Sequence, residues 1–171
     1  MRCIAIAAIT IDGKIALNSS HFSDWTSPED KAFMREFLDS AKVVVVGNNT
    51  YKTAAEPLSK RNCIVLTSST ATTKRKSDKL LLWNPVRTTF KTVAGIHKTV
   101  AILGGTQTYT YFLENDLLDE IYLTIEPLVF GQGLNLFETD KSLETHFRLQ
   151  STKKLNKKGS LLLHYIKHSV N

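Results

Sequence analysis

The sequence contains few of the residues that mark secreted, disordered or fibrous chains. Two cysteines, four prolines and eight glycines occur among 171 residues. Two cysteines are too few for a disulfide scaffold, and they favour reduced, buried thiols in a cytoplasmic protein. Because 42% of the residues are hydrophobic and 22% are charged, collagen-like, low-complexity and disordered chains are also excluded.

Long apolar runs are missing as well. No run approaches the roughly 18–20 residues that a membrane-spanning helix needs. The apolar stretch near the N-terminus is short and ends at Asp12-Gly13-Lys14, which is typical of a first strand rather than a secretion signal. We therefore predict one domain over residues 1–171, located in the cytoplasm and without a membrane partner.

The charge is positive. Lys and Arg number 22 against 16 Asp and Glu, which gives a net charge of +6 and a pI near 9.3. Phosphorylated small molecules and nucleic acids would both be attracted. The lysines at 153–154 and 157–158 flank a predicted hairpin turn, where they protect strand edges, and no aromatic residues alternate with them. We therefore expect a small-molecule substrate, with nucleic-acid binding as the least favoured alternative.

Four continuous apolar runs predict the buried centre of a mostly parallel sheet flanked by helices. They cover residues 3–9, 43–46, 63–66 and 100–103. Residues 80–83 predict an edge strand, while 120–126 and 160–166 predict an antiparallel C-terminal part that includes a hairpin. The fold class is thus α/β, a single domain with a mixed, mostly parallel sheet.

Capping residues predict where the helices begin. Ser27-Pro28-Glu29-Asp30 places a capping serine before a proline and two acids, and the helix should reach about residue 38. A second helix is predicted over 106–113, directly after Gly104-Gly105, and a shorter one over 88–94.

Two glycine turns at the carboxyl ends of predicted strands indicate an anion site. Gly104-Gly105 and Gly47-Asn48-Asn49-Thr50 each follow a buried strand, where backbone amides can approach a phosphate. Thr67-Ser68-Ser69 could bind a ribose 2′-phosphate in the same way. Each segment alone could be an ordinary turn or solvated loop, and Lys74–Lys76 is read as solvated. Together they predict a dinucleotide site, although the usual Gly-x-Gly-x-x-Gly fingerprint is missing.

Six ordered motifs resemble the dihydrofolate reductase superfamily, which includes dihydrofolate reductases and the reductase domains of riboflavin biosynthesis. The motifs are Ile6-Ala7-Ala8, Asp12 to Ala16, Trp25 to Asp30, Gly47 to Tyr51, Gly104 to Tyr109 and Asp119 to Thr124. The resemblance covers nearly the whole chain and implies NADPH as cofactor. The cofactor-binding residues that it implies are Ala7, Ile15, Gly47, Asn48, Asn49, Thr50, Thr67, Ser68, Gly104, Gly105, Thr106, Gln107, Thr108 and Tyr109.

The spacing of Trp25, Pro28 and Asp30 resembles the start of the substrate helix in dihydrofolate reductases. The resemblance implies that Asp30 and Thr124 are catalytic, since a buried carboxylate can accept hydrogen bonds from an aminopyrimidine ring and support protonation at N5. The substrate-binding residues that it implies are Ile6, Ala8, Phe33, Met34 and Arg61, with Arg61 on the folate carboxylate.

Each assignment has a structural alternative. Asp30 could be a favourable charge in a helix first turn, Thr124 an ordinary strand residue, and Arg61 a solvated residue before a strand. Phe33 and Met34 could serve the core alone.

Other features resemble the riboflavin-pathway reductases more closely. They are Asp12 to Ala16, Thr26 to Glu29, and the segment from Gly131-Gln132-Gly133 to Phe137. Residues 17–24 also lack the family's proline before Trp25. Because those reductases generally lack an acid at the position of Asp30, the sequence favours reduction of dihydrofolate to tetrahydrofolate. Reduction of 5-amino-6-(5-phosphoribosylamino)uracil is the alternative.

Overall fold

The computed structural model describes residues 1–21, 23–95 and 97–168. Within them the strands are β1 (Arg2–Thr10), β2 (Lys14–Ala16), β3 (Val43–Gly47), β4 (Cys63–Leu66), β5 (Thr73–Ser77), β6 (Leu80–Trp83), β7 (Thr99–Ile102), β8 (Glu120–Glu126), β9 (Leu134–Asn135), β10 (Phe147–Lys154) and β11 (Leu161–Lys167). The α-helices are α1 (Pro28–Ser40), α2 (Asn48–Thr53), α3 (Ala55–Ser59), α4 (Phe90–Val93) and α5 (Thr106–Glu114), and Ser23–Trp25 forms a 3-10 turn.

Nine of these strands form one sheet in the order β10-β11-β8-β1-β7-β3-β4-β6-β5. The pairs from β8 to β6 are parallel, and the three pairs at the two ends of the sheet are antiparallel. β2 and β9 form a separate two-stranded ribbon. The predicted mixed sheet with an antiparallel C-terminal hairpin is confirmed, and the four predicted central strands are neighbours.

Both faces of the central strands are covered, which explains their continuous apolar runs. In β3, Val43 and Val45 point to one layer of the core, which also holds Trp83, while Val44 and Val46 point to the other. All four valines are at most 2% exposed. A strand buried on both faces cannot show the polar alternation of a half-exposed strand.

The prediction that Leu80–Trp83 forms the edge of the sheet is wrong by one strand. β5 pairs antiparallel with β6 outside it and is the edge. Its sequence, Thr-Lys-Arg-Lys-Ser, is exposed throughout and has no apolar alternation, which predicts a solvated segment and not a strand. Charged residues on an edge strand discourage pairing with other chains, and this edge carries three basic side chains in a row.

Helix α1 begins as its capping residues predict. The Ser27 Oγ accepts a hydrogen bond from the Asp30 backbone N–H at 3.3 Å, and Pro28 occupies the first helical position. The helix continues to Ser40, two residues beyond the predicted end. Helix α5 agrees with the prediction to within one residue, whereas α4 covers only Phe90–Val93 of the predicted 88–94. No helix among the described residues is long and apolar enough to cross a membrane.

Candidate active site

The first turn of α1 places a carboxylate in the protein interior. Asp30 is 6% exposed, and its carboxylate accepts hydrogen bonds from the hydroxyls of Thr124 on β8 and of Thr26. Thr124 is itself 1% exposed. The pairing of α1 with β8 therefore brings together two residues that are 94 positions apart in the sequence, both of which the sequence singled out.

The charge of Asp30 is disfavoured by its surroundings. Burial raises the pKa of the Asp30 carboxyl above its ordinary value, and the nearby charge of Glu126 raises it further. The hydrogen bonds from Thr124 and Thr26, and the charge of Lys31, act in the opposite direction without cancelling the burial. A buried carboxyl with a raised pKa is a candidate for proton-linked chemistry.

Sequence reasoning missed Glu126, which is 4% exposed at the end of β8. Its Oε1 accepts from the Ser27 backbone N–H at 2.8 Å, and its Oε2 accepts from the Ser160 hydroxyl at 2.5 Å. The sequence predicts Glu126 only as the last residue of a strand. The one available signal is that Glu126 stands two residues after Thr124, on the same face of a strand that should be half buried.

The two glycine turns lie against each other at the carboxyl ends of β3 and β7. The Gly47 backbone N–H donates to the Gly104 carbonyl at 2.9 Å. A Cβ on Gly47 would lie 2.9 Å from the Thr108 Oγ1, and Gly104 has φ of 62°, so both positions favour glycine. Gly105 caps the N-terminus of α5 and faces Thr50. A Cβ added to Gly105 would lie 3.9 Å from the Thr50 Oγ1. The turns thus form one continuous surface.

Several residues near these turns have side chains that face inward. Tyr109 is 4% exposed, and its hydroxyl donates to the Ile6 carbonyl at 2.6 Å, while burial raises its pKa. Thr108 is 1% exposed beneath Gly47, and the Thr106 hydroxyl donates to the Asn135 carbonyl at 2.6 Å. Their side chains hold the turn in place. The Thr108 and Tyr109 backbone N–H groups donate to the Gly105 carbonyl at 2.9 and 3.1 Å, whereas the Gln107 side chain is exposed and open to a ligand.

The loop after β4 presents one free hydroxyl rather than two. Thr67 is 7% exposed, and its Oγ1 donates to the Ser69 Oγ at 3.0 Å and accepts from the Ser69 N–H at 3.1 Å. Ser68 is exposed. In the turn after β3, Asn49 is exposed, and Asn48 and Thr50 are half-buried. The loop and the turn follow neighbouring strands, so they share one edge of the sheet with Gly104-Gly105.

The apolar residues expected to contact the substrate lie on β1 and α1, and the two expected to contact the cofactor, Ala7 and Ile15, lie on β1 and β2. Ile6 and Ala7 are buried, Ala8 is half-buried, and Ile15 lies at the margin of the core. Phe33 and Met34 are half-buried, and the Phe33 ring lies 5.4 Å from that of Tyr122. Phe33 and Met34 therefore contribute to core packing, as their structural alternative stated, while part of each remains exposed.

Arg61 already has a carboxylate partner. Its Nη2 lies 2.6 Å from the Asp39 Oδ1, and its side chain is 21% exposed while that of Asp39 is 66% exposed. Asp39 follows Asp30 by nine residues in α1, which places them about 14 Å apart along the helix axis. Arg61 is thus at the far end of the helix from Asp30.

Two loops meet beside the N-terminus of α1. The Asp12 carboxylate accepts from the backbone N–H groups of Phe130 and Gly131 at 3.2 and 2.8 Å. The Phe130 ring then contacts the rings of Trp25 and His21, at centroid distances of 5.2 and 5.5 Å. Residue 22, which belongs to the 17–24 segment discussed above, lies outside the described residues. Asp12, in the turn between β1 and β2, therefore holds the loop that follows β8, and Phe130 of that loop contacts the segment that precedes α1.

No cluster of metal ligands occurs within residues 1–21, 23–95 and 97–168. The two cysteines are buried and unpaired, as predicted, and burial raises the pKa of the Cys63 thiol to about 11. Neither thiol has the lowered pKa of a reactive cysteine. The chemistry of this region therefore depends on the carboxylates, the hydroxyls and the backbone of the glycine turns.

Comparison with known proteins agrees with this arrangement. The family model described as dihydrofolate reductase matches residues 2–158. An uncharacterized protein of Bacillus subtilis (strain 168), YwjB, is 25% identical over 174 residues, which cover 97% of this chain and 98% of that protein.

Solved structures share the fold at low sequence identity. A pyrimidine reductase-like protein from Corynebacterium diphtheriae superposes with a TM-score of 0.79 at 18% identity, over 99% of this chain and 92% of the other. The diaminohydroxyphosphoribosylaminopyrimidine deaminase/5-amino-6-(5-phosphoribosylamino)uracil reductase of Thermotoga maritima gives a TM-score of 0.72 at 16% identity, over 98% of this chain and 56% of the other.

Proposed function

Because the chain belongs to the dihydrofolate reductase family, we propose that it is an NADPH-dependent reductase whose substrate carries a pyrimidine ring bound by Asp30. The favoured substrate is a ribosylaminopyrimidine phosphate such as 5-amino-6-(5-phosphoribosylamino)uracil. Dihydrofolate is the second candidate. This order reverses the one that the sequence favoured.

The glycine turns support a dinucleotide cofactor. Gly47 and Gly104 are joined by a backbone hydrogen bond, no Cβ atom shields this surface, and α5 begins at Gly105, where the backbone N–H groups of a helix N-terminus favour an anion. Asn49, Thr50 and Ser68 would hold the phosphates from the neighbouring strand ends. When bound, NADPH supplies the reducing equivalent as a hydride.

The observation that carries the proposal is the buried Asp30 carboxylate with its Thr124 partner. An ionised carboxylate accepts hydrogen bonds only, so it suits the N3–H edge of a pyrimidine ring. Two of its acceptor positions are used by Thr124 and Thr26, and they fix the carboxylate's orientation. Thr124 lies near the carboxyl end of β8, and β8 runs parallel to β1, β7 and β3, so the Asp30–Thr124 pair and the turns that would hold the cofactor lie at the same edge of the sheet.

The pairing of Arg61 favours the shorter substrate. A glutamate tail on dihydrofolate would need the Arg61 guanidinium, which is engaged by Asp39 at 2.6 Å. A new carboxylate would have to displace Asp39 or share the guanidinium with it. A phosphoribosyl group is much shorter than a benzoylglutamate tail and need not reach that end of α1. The likeness to the pyrimidine reductase structures supports the same choice.

Dihydrofolate remains the second candidate because of Asp30 itself. Asp30 stands at the position where dihydrofolate reductases carry an acid at the start of the substrate helix. It accepts a hydrogen bond from the Thr124 hydroxyl, as the resemblance to that family implies. The riboflavin-pathway enzymes generally lack this acid. In dihydrofolate the bond reduced is a C–N double bond beside the pyrimidine ring, and in the ribosylaminopyrimidine it is the C1′–N double bond of the ring-opened imine form of the ribose. In either case hydride would add to the carbon and a proton to the nitrogen while Asp30 holds the ring.

The direct test is an NADPH-oxidation assay with each substrate. We expect turnover of 5-amino-6-(5-phosphoribosylamino)uracil by the wild-type protein, at a higher kcat/KM than for dihydrofolate. Asp30→Asn should abolish most of the activity, while Glu36→Gln, which neutralises an exposed acid on the same helix, should not. Efficient reduction of dihydrofolate alone would replace the favoured substrate with the second candidate. Turnover of neither would refute the proposal.

A further inference from the structure

Two buried carboxylates lie at the N-terminal end of α1, one on the helix and one on β8, and the proposed function uses only the first. Asp30 is 6% exposed and Glu126 is 4% exposed. Acidic residues are almost never fully buried unless other groups satisfy them. The second carboxylate therefore needs a reason to be there.

Both oxygens of Glu126 are satisfied by donors from different elements. Oε1 accepts the Ser27 backbone N–H at 2.8 Å, and Oε2 accepts the Ser160 hydroxyl at 2.5 Å. Ser27 caps α1, and Ser160 lies just before β11. Glu126 thereby joins the start of the helix to the C-terminal hairpin across the end of β8.

Ser27 connects Glu126 to Asp30. The Ser27 backbone N–H is held by Glu126, and its Oγ accepts the Asp30 backbone N–H at 3.3 Å. Ser27 is thus bound on one side by the glutamate and on the other by the first helical turn. A displacement of Glu126 would release the cap that fixes where Asp30 stands.

Asn156 secures the opposite end of this chain of hydrogen bonds. Its Nδ2 donates to the Ser160 Oγ at 2.9 Å and to the Glu29 Oε2 at 3.1 Å. Its Oδ1 accepts the Ser160 backbone N–H at 3.2 Å. The hairpin turn therefore contacts the start of α1 at two points. Asn156 binds Glu29 directly, and Ser160 is connected to Ser27 through Glu126.

We propose that Glu126 is a positioning residue that fixes the first turn of α1 through Ser27 and maintains a second negative charge beside Asp30. This inference rests on the proposed role of Asp30 as the carboxylate that binds the substrate ring. Glu126 itself touches neither substrate nor cofactor in this scheme.

The second part of the proposal concerns the charge of Asp30. The titratable and charged groups described around Asp30 are Glu126 from β8, Lys31 from its own helix and Tyr109 from α5. Glu126 raises the pKa of Asp30, and Lys31 lowers it. Glu126 therefore increases the protonated fraction of Asp30 at a given pH.

The test is a titration of Asp30 in the free protein, which requires no substrate. The ¹³C resonance of the Asp30 carboxyl, assigned by its loss in Asp30→Asn, is followed with pH in wild type and in Glu126→Gln. A glutamine oxygen can still accept from Ser27 and its amide can donate to Ser160, so the variant removes the charge and retains the scaffold. We expect the Asp30 midpoint to move to lower pH in Glu126→Gln.

Glu120→Gln is the matched control. Glu120 is a buried acid on the same strand, 6% exposed, but it pairs with Arg2 and His164 at the other end of β8. The Asp30 midpoint should not move in this variant. Glu126→Ala, which loses both hydrogen bonds, should in addition lower kcat roughly tenfold because Asp30 is misplaced, whereas Glu126→Gln should retain most of the turnover above the Asp30 midpoint.

The outcomes separate this inference from the proposed function. An Asp30 midpoint that is the same in wild type and Glu126→Gln, or that moves equally in Glu120→Gln, overturns the role of Glu126. If the midpoint moves in Glu126→Gln alone while no substrate is reduced by any form of the protein, the effect of Glu126 on Asp30 stands and the proposed function fails.

Discussion

Replacing Asp30 with asparagine should lower activity and raise stability at the same time. The substitution keeps the volume of the side chain, and the amide oxygen can still accept from Thr124 or Thr26 while those hydroxyls can accept in turn. What disappears is the negative charge. Turnover should fall by roughly 10²–10⁴-fold, the range for a lost acid–base or charge contribution, while NADPH binding should stay near normal.

The gain in stability follows from the raised pKa of Asp30. Below the pKa of the unfolded state, the carboxyl is protonated in both states and its charge contributes nothing. As the pH rises, the unfolded state ionises first, so the folded protein loses stability until the pH passes the higher folded pKa. Asp30→Asn has no such loss. Its advantage should be absent in acid and should grow as the pH rises from the unfolded pKa to the higher folded pKa.

Urea unfolding at a series of pH values from about 3 to 8 measures this difference. The variant's stability relative to wild type should increase with pH and then level off. Glu36→Gln, an exposed acid on the same helix, should show no comparable rise. A fully active Asp30→Asn protein, or one whose stability difference is the same at every pH, would refute the reasoning for a buried, functional carboxylate.

Three further substitutions or ligand comparisons test the remaining parts of the site. Arg61→Ala should leave the kinetics with a ribosylaminopyrimidine phosphate unchanged, with Lys60→Ala as control; a rise in KM for dihydrofolate equivalent to about 1.5–3 kcal/mol would instead show that Arg61 binds a substrate carboxylate. NADPH should bind more tightly than NADH because Ser68 and nearby basic residues can meet a 2′-phosphate, and equal dissociation constants from fluorescence titration would contradict that role. Tyr109→Phe should lower the free energy of unfolding by about 1–3 kcal/mol, since it removes the buried hydrogen bond to the Ile6 carbonyl, and an unchanged urea midpoint would show that this bond contributes nothing.

The sequence alone determined the centre of the sheet and the start of α1. Runs such as residues 43–46 are apolar on consecutive positions because both faces of the strand are covered, and this signal is local. Ser27 and Pro28 define the helix start through backbone geometry, which also depends on neighbouring residues only. The order of Trp25, Pro28 and Asp30 was enough to single out the central acid.

Other features had no local signal. β5 carries only polar and charged residues, so its pairing with β6 depends on backbone hydrogen bonds that sequence patterns do not reveal. Tyr109 stands in a motif implied to bind the cofactor, yet its side chain reaches the Ile6 carbonyl, because α5 packs its inner face on the sheet. In both cases the neighbour that decides the residue's environment is distant in the sequence.

Glu126 shows this dependence most clearly. In the sequence it is one acid at the end of a strand, and its place on the same strand face as Thr124 is the one local sign that it is not a solvated residue. It becomes a buried carboxylate because β8 pairs with β11, which brings Ser160 to one oxygen, and because α1 begins beside β8, which brings Ser27 to the other. Burial and hydrogen bonding depend on contacts among three separate segments of the chain, and only the tertiary structure brings them together.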